Sequence, residues 1–138
     1  MKSERILTWF AIAAIAFGVL TVFSGGRALF GGIEARAELG NIVPFVLWFN
    51  FLAGFAYVLA GAALLRTKGR AGWAASMALL LAVSTVLVFL AFAVHIAAGG
   101  AFEARTVGAM SLRSLFWIAV ALVALRAMKA TAAGNSPR

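Results

Sequence analysis

The sequence predicts an all-α integral membrane protein, a bundle of four transmembrane helices with both termini cytoplasmic, organised as two weakly duplicated helical hairpins. Three observations predict it: composition, the lengths of the apolar runs, and the placement of basic residues. The chain has 138 residues, 64% of them hydrophobic and 12% charged. Soluble domains average roughly 45–50% and 25%. Four apolar runs stand out at 6–23, 42–65, 71–98 and 107–125. A bilayer core about 30 Å thick needs about 20 helical residues, so the first three satisfy it directly and the fourth has a less defined start. Continuous apolar runs without period-2 alternation select helices over a barrel, because backbone polar groups in lipid must be satisfied internally.

The basic residues alternate by side. Lys2, Arg5, Arg66, Lys68, Arg70, Arg126, Lys129 and Arg138 fall at one end of the runs, with Glu4 as their only acid, which leaves +7 there. Arg27, Arg36, Arg105 and Arg113 face Glu34, Glu38 and Glu103 at the other end, which leaves +1. The positive-inside rule then makes the first end cytoplasmic. A net charge of +8 does not point to nucleic acid, because the bases lie in short clusters between apolar runs and form no basic face. Anionic lipid accounts for them, so the expected partners are the bilayer and a homo-oligomer or larger membrane complex. The expected location is a bacterial inner (plasma) membrane. With no cysteine, disulfides and thiolate chemistry are excluded.

The elements follow in order. Run 6–23 comes after Lys2 and Arg5 as a secretory signal would, but it is long for one and lacks a clear A-x-A site, so it reads as a retained anchor. Trp9 and Trp73 sit near the cytoplasmic boundary as interfacial aromatics. Between the first two runs, Glu34 and Glu38 share one face of a short helix that Gly40 would end. Asn41 is a candidate cap for the second run, with Pro44 in its first turn. Within that run Asn50, Gly54, Tyr57 and Gly61 form one stripe, read as a helix contact. Ser84, Val88, Ala91 and His95 share a face of the third run, and the serine is expected to bond its own helix backbone. The membrane domain covers 1–129, and the polar 130–138 reads as a disordered tail.

The two outer loops resemble each other. Glu34, Ala35 and Arg36 recur as Glu103, Ala104 and Arg105 at an offset of 69, as does Trp48 in Trp117. The helices themselves barely match. If the repeat is an ancestral duplication, each half is a hairpin and functional groups gather where the outer loops meet.

The chemistry lies at that outer end. Arg113 precedes Arg126 by about 20 Å of helix, which places it below the outer surface and calls for a partner. Glu103 is the nearest acid, Glu34 and Glu38 are rivals, and Arg105 and Arg27 complete the candidate ion-pair network. His95 reaches the same boundary and, with Glu34, Glu38 and Glu103, makes a candidate ligand set for zinc, manganese or iron. His95 beside an arginine also fits a quinone carbonyl. No cofactor is required by the sequence; metal or quinone stay open.

Absences narrow the classes. Run 6–23 lacks the buried acid expected of a small proton-coupled drug exporter, cysteine pairs for thiol-quinone chemistry are missing, and a single histidine cannot hold two haems. Three functions remain. The leading one is a non-catalytic accessory protein or subunit that binds partner helices, with a polar outer site around His95. An oligomeric transporter or channel lined by Asn50 and Ser84 is the alternative. A metal- or quinone-dependent enzyme centred on His95, Glu103 and Arg113 is the third, and the balance leans away from catalysis because no nucleophile or acid-base pair is present.

Overall fold

The computed structural model describes residues 2–66 and 71–134, and helix is their only regular structure. Five helices follow one another: α1 (Lys2–Phe30), α2 (Gly32–Ala37), α3 (Pro44–Arg66), α4 (Ala71–Ala97) and α5 (Ala104–Gly134). All but α2 are long and apolar enough to cross a membrane.

Three helix ends are set by residues visible in the sequence. Pro44 opens α3, where its missing N–H would have had no helical partner. Gly40 ends the α2 turn at φ +70°. Past α4, Gly99 adopts φ +84°, its N–H bonds Ile96 O at 3.0 Å, and the Gly100 N–H reaches back to His95 O at 2.9 Å. That pair of bonds is a Schellman cap, which uses a left-handed residue to satisfy the last carbonyls.

Other boundaries differ from expectation. The first helix runs through Ser24, Gly25, Gly26 and Arg27 to Phe30 instead of ending at 23. Gly25 lies against Phe51, where a Cβ would come within 3.1 Å, so the glycines continue the helix by letting α3 approach. α5 starts three residues before 107 and extends through Gly134, so 130–134 are helical rather than a disordered tail. Ala-rich sequence in "MKATAAG" has the propensity to carry the helix on. Residues 135–138 lie outside the described residues.

Packing divides the long helices into two close pairs, α1 with α3 and α4 with α5, which meet each other more sparsely through α3 with α4 and α1 with α5. The α1–α3 seam is made by small residues a heptad apart. A Cβ on Gly18 would lie 2.7 Å from Gly54 O, and one on Gly61 would lie 2.7 Å from Ala11 O. Backbones therefore touch directly, as small-residue membrane seams allow. Of the predicted α3 stripe, Gly54 and Gly61 form this seam, while Tyr57 is fully buried against Phe17 and Trp117 with ring centroids 5.9 and 4.9 Å away. Gly54, Tyr57 and Gly61 of that stripe thus meet this chain's own helices, while Asn50 faces a cleft.

Large rings fill the space between the pairs. Phe116 packs edge-on against Phe17, Phe10 and Trp117 at 5.6, 6.0 and 5.3 Å, and Phe17 stacks on Tyr57. Ser84 bonds its own helix, Oγ to Leu80 O at 2.7 Å.

Candidate functional site

At one end of the bundle the segment between α2 and α3 meets the start of α5. Glu103 accepts from the Asn41 backbone N–H at 2.8 Å and from Asn41 Nδ2 at 3.1 Å. Asn41 therefore serves the opposite hairpin and does not cap α3. The carboxylate lies over Gly40, where any Cβ would collide with it, and it sits at the α5 N-terminus, where the helix dipole favours negative charge. Arg105 Nη2 donates to Leu39 O at 3.1 Å. Together these bonds clamp residues 39–41 to the start of α5.

The remaining charges are used locally. Arg27 and Glu38 form a solvent-exposed ion pair at 3.1 Å, of a kind that contributes at most about 1 kcal/mol. Arg36 donates to the terminal carbonyls of α1, Leu29 O at 2.8 Å and Ala28 O at 3.3 Å. Glu34 is exposed on α2. The two copies of the loop motif thus have unequal tasks: Arg36 stays within its own hairpin and Arg105 bridges to the other, while Trp48 is half exposed and Trp117 fully buried.

His95 closes its own loop. Its Nε2 lies 3.2 Å from Ala101 O, and its ring packs against Phe92 and Phe45. Among the described residues no three of His, Cys, Asp and Glu come together as a metal would need. The carboxylates expected around His95 are engaged elsewhere, Glu103 on Asn41 and Glu38 on Arg27.

Arg113 has a different setting from the expected ion pair. It is only 7% exposed, and its partners are neutral: Nη2 reaches Thr21 Oγ1 at a long 3.4 Å, and Cζ lies 5.5 Å from the Phe17 ring centroid. Nε is buried with no hydrogen-bond partner. Glu103 cannot serve it because α5 separates them by ten residues, about 15 Å of rise.

Arg113 lines a cleft of about 300 Å³ between the two helix pairs. One wall comes from α1 (Thr21, Ser24, Gly25, Ala28), another from α3 (Val46, Leu47, Asn50), and a third from α5 (Arg105, Thr106, Ala109, Arg113). The clamped segment with Leu39 and Asn41 contributes the rim. Asn50 Oδ1, like Arg113 Nε, is buried without a partner. The cleft thus holds two guanidiniums (Arg105, Arg113), two amides (Asn41, Asn50) and three hydroxyls (Thr21, Ser24, Thr106) among apolar side chains, the convergent polar groups on apolar walls that mark a small-molecule site. A second groove, between α4 and α5, is lined by apolar side chains alone.

Arg113 and Asn50 were visible in the sequence as isolated polar residues, but Thr21 and Ser24 were not singled out. Their signal is the spacing of Thr21, Ser24, Gly25 and Ala28, a small and hydroxylated stripe on one face of α1. No protein-family model, curated protein or solved structure matches the chain.

Proposed function

We propose that this chain is an integral membrane protein with cytoplasmic termini that acts as a non-catalytic binding protein, its ligand site being the cleft around Arg113. The observation that carries this reading is Arg113 itself, nine-tenths buried in a cleft wall with an unpartnered Nε. An arginine within the apolar part of a membrane helix is costly and marks function by default. The absence of a carboxylate on it distinguishes a binding residue from a structural ion pair. The site moves from His95, which is occupied by its own loop, to the facing walls of α1, α3 and α5. The hydroxyls of Thr21, Ser24 and Thr106 line the cleft with no histidine, carboxylate or lysine beside them to act as a base, so binding rather than turnover is the reading its chemistry supports.

Occupancy of the cleft is testable before the ligand's identity is known. Ala109 stands on the α5 wall, and Ala109→Trp would fill the space. Wild-type and Ala109→Trp protein are purified in dodecyl maltoside and their organic extracts compared by mass spectrometry. A compound recovered with the wild type and missing from the filled variant supports the reading; indistinguishable extracts refute it.

A further inference from the structure

We infer that the cleft takes an anionic headgroup carried on a hydrocarbon chain, a carboxylate or phosphate amphiphile that enters from the bilayer between α1 and α5. The inference rests on the cleft being a binding site and adds the charge and the amphipathic character of what binds.

The charge follows from the balance of the walls. Two guanidiniums, Arg113 at depth and Arg105 at the rim, line the cleft, and no carboxylate does. Glu103, the acid nearest the rim, is already engaged by Asn41. A neutral carbonyl would accept a hydrogen bond from Arg113 but leave its buried charge uncompensated. An anionic oxygen supplies both, and charge-assisted bonds to a guanidinium are roughly twice as strong as neutral ones.

The chain follows from the walls and the way in. Between its polar groups the cleft is faced by Ala28, Val43, Val46, Leu47 and Ala109, which offer contact to methylenes rather than to water. From above, residues 39–41 are fastened to α5 by Arg105 and Glu103. From the side, α1 and α5 touch sparsely while each packs closely with its own hairpin partner, so the open seam is the one that faces lipid. A volume of about 300 Å³ accommodates a headgroup and the first part of a chain, with the remainder in the bilayer.

Oleate, 1-oleoylglycerol 3-phosphate and uncharged monooleoylglycerol share one chain and differ in headgroup. Each is titrated by calorimetry into the full chain in dodecyl maltoside at pH 8, with acetate and inorganic phosphate as chain-free anions. At least one charged amphiphile should bind ten-fold or more tighter than monooleoylglycerol, and the chain-free anions should bind far more weakly. Whichever of oleate and the phosphate binds better identifies the headgroup. Arg113→Gln should bring the charged amphiphiles down towards the affinity of monooleoylglycerol, a loss of ten-fold or more for the charged ligand that binds best. The wild-type comparison requires no variant, so a misfolded Arg113→Gln would not rescue the inference. Equal binding of charged and uncharged amphiphiles overturns it while the cleft remains a binding site; acetate or phosphate binding as tightly as its amphiphile overturns the entry from lipid.

Discussion

Arg113 shows how one residue can work against the stability of its own fold. Its charge is buried, its hydrogen bond to Thr21 is long, and the Phe17 ring returns only about 2 kcal/mol if fully desolvated. Replacing a buried charge with an apolar residue of similar volume is often neutral or stabilising. Arg113→Leu is therefore expected to melt at an equal or higher temperature than the wild type in detergent while losing ligand. A clear drop in melting temperature would show that Arg113 is structural. The glycines give the opposite case. Gly18→Ala would drive a Cβ into the α3 backbone and should destabilise by about 1–3 kcal/mol, read as a lower unfolding midpoint. Gly108→Ala on α5 meets nothing within 4 Å and should gain up to about 1 kcal/mol from helix propensity. At this scale the sequence revealed that Arg113 falls inside the fourth long helix, because counting back from Arg126 needs no tertiary information. It concealed the partner of Glu103, because a neighbour 62 positions away depends on how the hairpins dock.

Among the elements, the clamp over the cleft is the part most open to test. Glu103→Ala removes the acceptor for two Asn41 donors, so amide hydrogen exchange over residues 38–43 should accelerate while exchange in the middle of α3 stays slow. Unchanged exchange in that loop would mean that Arg105 alone holds it. Helix ends were legible where a residue enforces them, as Pro44, Gly40 and Gly99 do. They were not legible where packing decides. Ser24-Gly25-Gly26 reads as a break by propensity, yet Phe51 on α3 packs over Gly25 and the helix continues. The α3 stripe was legible as a contact face, but which helix it meets is fixed only by the complementary spacing of Ala11, Gly18 and Gly25 on α1.

For the molecule as a whole, four helices of membrane-spanning length were legible from composition and run length, since the solvent of each face is written in its side chains. The proposed orientation rests on charge placement and can be checked directly, because the chain has no cysteine to interfere. In intact cells Glu34→Cys should react with a membrane-impermeant maleimide, and Lys129→Cys should react only after permeabilisation. The reverse pattern would invert the topology.

The unequal seams between helices also bear on how the chain is assembled. The α1–α3 and α4–α5 pairs each pack closely, while the boundary between them is sparser and holds the cleft. Covalent continuity between the two hairpins is then dispensable. Residues 1–68 and 69–138, expressed as separate polypeptides, should insert independently and be recovered as one complex through a tag on either. A cut inside a hairpin should abolish that complementation.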